Sequence, residues 1–326
     1  MSLNILVQHG TRIYSPVLTD KVTWKTERKG APGRLEFSAV SDSRIDLATE
    51  GDAVQFTERA DSGKISNIFK GYIFKIQKDK NGITKFTCFD QLRYLKNKDT
   101  YVYTGKRADE VVRMICDDFG LKRTTLENTV YKIPSRIENN TSLFDIVGNA
   151  LDLTLENRKV MYVLYDDFGL LRLISINGLM TNVLIDASGA EDFSYVSTID
   201  KETYNKIKLV YDNSDTGQRE IYTAASTTTA LSWGILQYYD TLQKNENGRE
   251  KAKKLLELYN TKSKSLSIKN AFGDNSVRAG SMVFVRLDLG DTKVDSLMLV
   301  EKCSHEWAEN QHFMTLELRG GDINNS

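Results

Sequence analysis

The sequence predicts a mainly β, α+β protein: two similar small β-barrels, an α+β middle domain, and a helical insert before the last strands. Three observations carry that expectation. Apolar residues alternate with period two through the first hundred residues, the period changes to 3.6 after Thr104, and strands return from about Ser188. The expected division is residues 1–100 for the first barrel and 101–187 for the middle domain. Residues 188–326 form the second barrel, with the helical insert at about 230–262. At 326 residues the chain exceeds what a single hydrophobic core usually supports.

In the first part Val22, Trp24 and Thr26 share one face, and Leu35, Phe37 and Ala39 repeat the pattern after Ala31-Pro32-Gly33. Val54 and Phe56 follow. A long strand then places Ile68, Lys70, Tyr72, Phe74 and Ile76 on one parity, and Asp79-Lys80-Asn81-Gly82 turns it into a return strand carrying Ile83, Phe86, Cys88 and Asp90. Asn-Gly is expected to supply the positive φ values of a tight turn. After Thr104, Val111, Val112, Ile115, Cys116 and Phe119 line one helical face, which Gly120 ends. A second helix starts near Ser142, where Ser142 with Asp145 resembles a capping box, and buries Leu143, Ile146, Val147, Ala150 and Leu151. The hairpin 160–176 turns at Asp166-Asp167-Phe168-Gly169.

Beyond Ser188, strands 206–211 and 220–223 flank a turn from Asn213 to Gly217, and 224–229 reads as a polar loop. Helices are expected over about 231–242 and around Ala252, Leu255, Leu256 and Tyr259, with Lys251, Lys253 and Lys254 on the outer side as a solvated face. Strands 266–268, 282–287, 297–304 and 312–319 close the chain. Gly51-Asp52-Ala53-Val54-Gln55-Phe56 is echoed by Gly280-Ser281-Met282-Val283-Phe284-Val285, 229 positions later, and a hairpin of longer strands follows each. Repeated surfaces favour cyclic closure, so three chains could present six equivalent barrels.

Lysine plus arginine and aspartate plus glutamate both total 44, which argues against a nonspecific nucleic-acid or acidic-membrane binder. No window approaches the ~18 apolar residues of a membrane span, and the N-terminus has no basic region followed by an apolar run. Cys88, Cys116 and Cys303 are widely spaced and read as small buried hydrophobes rather than a disulfide framework or metal knuckle.

Taken together, several segments resemble the XkdQ/YqbQ-type tail proteins of Gram-positive bacteriophages and defective prophages, a baseplate hub family of contractile tails. They are Tyr14-Ser15-Pro16-Val17-Leu18-Thr19-Asp20 with Trp24, the Gly51 segment, Ile68-Phe69-Lys70-Gly71-Tyr72-Ile73-Phe74 and Cys88-Phe89-Asp90-Gln91-Leu92-Arg93-Tyr94-Leu95. Tyr165-Asp166-Asp167-Phe168-Gly169, Asn205-Lys206-Ile207-Lys208, Trp233-Gly234 and Gly280 with its strand extend the match over essentially the whole chain. The resemblance implies a homotrimeric, non-enzymatic hub of a phage or tailocin-like particle, joining a six-fold tail tube to a three-fold central spike. It implies as partners the tail tube or tube-initiator protein and the spike, then the tape measure, a LysM-type tail protein and baseplate wedge proteins. Synthesis in the host cytoplasm and assembly into the virion follow, with no membrane anchor and no sequence-specific nucleic acid.

No catalytic, cofactor-binding or metal-binding residues are assigned. Asp-Asp-Phe-Gly occurs at 117–120 and 166–169, without the Gly-rich loop, strand lysine or His-Arg-Asp loop of a kinase. His305 and His312 flank the last hairpin turn, with Glu306 and Glu309 nearby, and opposed imidazoles could chelate zinc. Asp166 with Asp167, and Glu50 with Asp52, read as solvated turn residues. Tyr72, Tyr94, Tyr101, Tyr103, Tyr238 and Tyr239 exceed what a core needs and suggest protein contacts in part. The alternatives are a tail-tip cell-wall hydrolase or carbohydrate-binding module, and a plain β-rich ligand-binding protein.

Overall fold

The alternating N-terminal segments form strands β1 (Ser2–His9), β2 (Arg12–Tyr14), β3 (Val22–Glu27), β4 (Arg34–Val40), β5 (Ala53–Arg59), β6 (Ile65–Lys78) and β7 (Ile83–Phe89). These come from a computed structural model, which describes residues 1–213, 217–242, 246–288, 290 and 293–320. Val22, Trp24, Leu35, Phe37, Ala39, Val54, Phe56, Phe86 and Cys88 meet in one core, as their parity requires. β1 was not expected as a strand. Its Ile5 and Val7 enter the same core, and it pairs antiparallel with β5.

The single parity expected along β6 is broken twice. Phe56 pairs with Phe69 and Thr57 with Asn67, which leaves Ile68 as a bulge; Ile73 pairs with Cys88 and Lys75 with Thr87, which leaves Phe74 as another. Each extra residue flips the inward set. Phe69, Gly71 and Ile73 are therefore buried while Lys70 and Tyr72 are not. The Asp79–Gly82 turn forms, but of Asn81 and Gly82 only Gly82 has positive φ. Asp79 holds the loop by accepting hydrogen bonds from the Asn81 and Ile83 amides.

The next segment comprises β8 (Lys98–Lys106), α1 (Ala108–Asp118), β9 (Arg123–Leu126), β10 (Ile133–Ser142), α2 (Leu143–Arg158), β11 (Tyr162–Asp166) and β12 (Leu171–Ser175). The inward faces of α1 and α2 pack with Tyr101, Tyr103, Leu171 and Leu173 in a second core. Ser142 caps α2 by accepting from the Asp145 amide.

The strands that return later are β13 (Met180–Asp186), β14 (Asp192–Thr198), β18 (Ser263–Phe272), β19 (Met282–Asp288), β20 (Lys293–Ala308) and β21 (Gln311–Gly320). Six strands of the first set run β1-β5-β6-β7-β4-β3 across the sheet, and the second set runs β13-β19-β20-β21-β18-β14. The echo extends to hydrogen bonds. Gly51 N donates to Ile73 O and Ile73 N to Asp52 O; Gly280 N donates to Val300 O and Val300 N to Ser281 O. Both glycines have φ of 94°. Asp52 accepts from the Thr49 amide and Ser281 from the Arg278 amide, three residues back in each case. Val54, Phe56 and Glu58 on β5 and Val283, Val285 and Leu287 on β19 are buried in matching register. The copies differ at one edge, where β1 runs antiparallel to β5 but β13 runs parallel to β19. The long β20 joins the two sets, pairing with β19 over 293–299 and with β3 over 302–307.

The chain divides into two units. Among the described residues, the first comprises Met1–Leu155, Val160–Ser194 and Leu266–Leu318; the second comprises Glu156–Lys159, Tyr195–Ser265 and residues 319–320. Within the second unit, β15 (Lys206–Asn213), β16 (Gln218–Ala225), α3 (Thr227–Trp233), β17 (Gln237–Thr241) and α4 (Gly248–Tyr259) follow in order. β15 is central, antiparallel to β16 and parallel to β17. Ile207, Leu209, Leu242, Ala252 and Leu255 form its core with Tyr204, Tyr222, Tyr238 and Tyr259.

Two expectations for this region fail. The polar loop at 224–229 is instead the end of β16 and the start of α3, whose cap Ser226 accepts from the Thr229 amide. The helix expected over 231–242 stops at Trp233, because Gly234 takes φ of 76°, and Gln237–Thr241 then pairs with β15 as a strand. Tyr238, Tyr239 and Thr241 favour that extended state. Residues 214–216 of the expected turn, and 243–245 within the expected insert, lie outside the described residues.

The two turn glycines make a matched pair for mutation. Alanine at φ of 94° is strained in both, so Gly51→Ala is expected to cost about 1–2 kcal/mol. Gly280→Ala costs more, because its Cβ would lie 2.7 Å from Val163 Cγ1 whereas Gly51 has no atom within 4 Å of that position. Urea denaturation of the two variants checks the order.

Candidate functional site

Alternation along β20 turns Cys303, His305 and Trp307 to one buried face, and β21 brings His312 back beside them. His305 Nε2 lies 2.8 Å from the Val277 carbonyl oxygen, which can only accept, so Nε2 carries the hydrogen. The neutral ring therefore has a bare Nδ1, which accepts from His312 Nε2–H at 2.9 Å. His312 Nδ1 then faces Glu58 Oε2 at 3.8 Å. Glu58 in turn accepts from Trp307 Nε1 at 2.8 Å and from Asn275 Nδ2 at 3.0 Å. Trp24 and Trp307 stack on His305, with ring centroids at 5.2 and 5.6 Å, and Trp307 stacks on His312 at 4.4 Å. Burial pushes the His305 pKa down to about 3 and lowers that of His312.

The histidines are thus brought together as expected, but as a direct hydrogen-bonded pair. Among the described residues no set of three His, Cys, Asp or Glu side chains gathers as a metal site. Neither expected glutamate joins them. Glu306 pairs with Lys21 at 2.8 Å, and Glu309 with Asn310 forms the turn at φ of 50° and 60°. The acid that does face the pair is Glu58 of β5, which nothing in the local sequence marks.

A second buried polar cluster surrounds Arg278. Its guanidinium lies 4.1 Å over the Tyr165 ring and donates to the Asp166 carbonyl at 3.0 Å. Asp90 accepts from the Gly33 and Leu92 amides at 2.9 and 3.0 Å. Asp166 accepts from the Gly169 amide and from Gln91, which also donates to Gly169 O at 2.7 Å. Asp166 is thus a buried anchor rather than a solvated turn residue. Burial holds Asp90 well above the usual carboxylate range, with the Asp166 charge adding to it and Arg278 opposing. Burial also raises Asp166. Sequence reasoning missed Arg278, because an arginine in a polar loop reads as solvated; the Asp90-Gln91-Leu92 cap was the available signal.

The remaining candidates separate. Asp117 pairs with Arg123 where α1 ends, and Asp167 pairs with Arg172. Asp52 is likewise no solvated turn acid: it is mostly buried and lies 3.0 Å from His9 Nδ1, whereas Glu50 is exposed. All three cysteines are buried and unpaired, and burial raises each thiol pKa. Lys251 pairs with Glu246. Of the six tyrosines, Tyr101 and Tyr103 are buried, Tyr72 stacks edge-on against Tyr94, and Tyr238 packs on Tyr204 and Tyr259. Tyr239 is 53% exposed.

The YQBQ-like family model matches residues 22–319. The chain belongs to that family. It is 28% identical over 313 residues to the protein YqbQ of Bacillus subtilis, covering 93% of this chain and 92% of the relative. It is 27% identical over 312 residues to XkdQ of the phage-like element PBSX of the same organism, with the same coverage. Among solved structures, the 43 kDa tail protein of prophage MuSo2 from Shewanella oneidensis shares the fold. The TM-score is 0.70 at 12% identity, over 99% of this chain and 100% of that one. This YQBQ-like protein thus has the mainly β fold of phage tail proteins. Among the described residues no helix is long and apolar enough to cross a membrane.

Two measurements test the buried clusters. An unfolded histidine titrates near 6.5 and folded His305 near 3, so below pH 6.5 the unfolded chain binds the extra proton and stability falls. From pH 7 to 5 that one group removes about 2 kcal/mol, against an opposing gain from the raised Asp90 and Asp166. Imidazole ¹⁵N spectra isolate the histidine, which is expected to keep Nε2 protonated and Nδ1 bare down to pH 5. Arg278→Met keeps much of the stem but removes the charge and the carbonyl donor. It is expected to cost about 2–4 kcal/mol in urea unfolding.

Proposed function

We propose that this protein is the structural hub of a contractile tail baseplate, acting as a homotrimer that joins a tail tube to a central spike. One observation supports it above the others. The meander β5-β6-β7 and the meander β19-β20-β21 share strand order, the same glycine turn and the same carbonyl pairing. Each meander is the open half of a small tube-like barrel. Three chains then offer six comparable surfaces, enough to meet a six-fold tube while keeping three-fold symmetry for a spike. The role is geometric and calls for no catalysis. The likeness to XkdQ of a phage-like element supports the same setting.

Residues 1–100, 101–187 and 188–326 serve in this proposal as first barrel, middle domain and second barrel. Neighbouring copies cover the sheet edges that each chain leaves open. A ring of this kind buries more than ~2,000 Å² at each contact and survives dilution. Native mass spectrometry of the purified protein is expected to show a species of three times the 37.0 kDa chain mass. A monomer alone, at micromolar concentration and with tube and spike partners present, would overturn the proposal.

A further inference from the structure

We propose that the outer face of the β16-β15-β17 sheet in the second unit is a docking site for an acidic polypeptide. This goes beyond the hub role and does not depend on trimer formation. The first strand set connects β3 to β4 through the short stretch 28–33, whereas the second connects β14 to β18 through residues 199–262, most of this unit. The strand order is the same in both, so the insertion is not required to complete the sheet.

The unit buries one face of its sheet; on the other, Ile221, Thr223, Tyr239 and Thr241 of the flanking strands are exposed, Lys206 and Lys208 are half-buried, and the central Val210 is buried. Ile207, Leu209, Tyr222, Ala224 and Tyr238 face its own core. Alternation sends Lys206, Lys208, Ile221, Thr223 and Tyr239 to the opposite side. There Lys208 stands between Thr223 and Tyr239, and Val210 between Ile221 and Thr241. Ile221 is 55% exposed and Tyr239 is 53% exposed. Among the described residues neither Lys206 nor Lys208 has an ion-pair partner, whereas Arg219 on the same face is held by Asp212 at 2.6 Å. The face therefore carries two uncompensated positive charges beside exposed apolar and aromatic groups.

Charge complementarity calls for carboxylates, and the flanking Tyr239 and Ile221 call for apolar side chains between them. Nucleic acid fits less well. The face presents a single exposed aromatic ring for stacking, and the chain as a whole has no net charge. The other cationic surface of this unit, Lys253 and Lys254 on α4, offers an internal comparison.

The test is fluorescence anisotropy of the full chain with fluorescein-labelled poly-L-glutamate at low salt, with labelled poly(dT) in parallel. Wild-type protein is expected to bind the acidic polypeptide. Lys206→Glu with Lys208→Glu should weaken binding at least tenfold, and Tyr239→Ser several-fold, while Lys253→Glu with Lys254→Glu stays within twofold. Lys206→Gln with Lys208→Gln provides a milder pair should charge reversal disturb folding, and circular dichroism checks each variant. Absence of wild-type binding, or equal losses from the α4 pair, would overturn the proposal. Tighter binding of poly(dT), lost in the Lys206/Lys208 variants, would overturn it in favour of nucleic acid.

Discussion

The pairing of β20 with β3 holds the two strand sets in one sheet. Six consecutive positions pair, from Lys302 opposite Glu27 to Trp307 opposite Val22. Arg28, only 6% exposed, clamps Glu301 with two hydrogen bonds of 2.8 and 2.9 Å, a geometry in which a charged pair is strong. The Ala279 amide donates to the Thr26 hydroxyl, tying the second glycine turn to the same strand. Without this seam β3 would end one sheet and β20 would have a bare edge along its second half. Because β20 is long enough to serve β19 first and β3 afterwards, a single strand belongs to both copies.

The seam explains why burial lowers both histidine pKa values. His305 lies on the face of β20 that turns inward where the two sets meet, between Trp24 of one and Trp307 of the other, and His312 of β21 stacks on Trp307. Aromatic walls remove water, which disfavours the imidazolium. A hydrogen bond to Val277 O sets one tautomer, and the second ring satisfies the nitrogen left over. The network consumes both faces of His305 and leaves Glu58 to receive Trp307 and Asn275. Here polar groups are retained in a core at the cost of requiring every partner in place.

Much of this fold was legible because period and punctuation are local. The faces of β3, β4, β5 and both middle helices follow from spacing alone, and the Gly51 and Gly280 segments announced a repeat that the hydrogen bonds bear out. What was not legible depends on pairing. The bulges at Ile68 and Phe74 exist because of what lies across the ladder, and no residue type at those positions signals them. The strand at 237–241 looked helical because Leu236, Tyr239 and Leu242 share a spacing compatible with a helix; parallel pairing with β15 decided otherwise. Arg278, Glu58 and Asp90 were hidden for a related reason. Each faces groups far away along the chain: Arg278 the Asp166 carbonyl, Glu58 the Trp307 indole, and Asp90 the Gly33 amide.

The difference in strand direction at one edge of the copies follows from connectivity. β1 runs antiparallel to β5 and is followed at once by the short β2. β13 arrives from the middle segment, through the turn at Ile176–Leu179, and its entry beside Met282 obliges it to run parallel to β19. A parallel neighbour cannot continue as a tight hairpin onto the same partner. As β1 leads through β2 to β3 on the far side of the first set, β13 leads to β14 on the far side of the second, and β14 to the inserted unit before β18 resumes. The repeat keeps its strand order in β4, β5, β6 and β7 and their counterparts β18, β19, β20 and β21, although the β5–β6 pairing carries a bulge and the β19–β20 pairing runs without one. It relaxes at the edge, where the path of the incoming chain sets the direction.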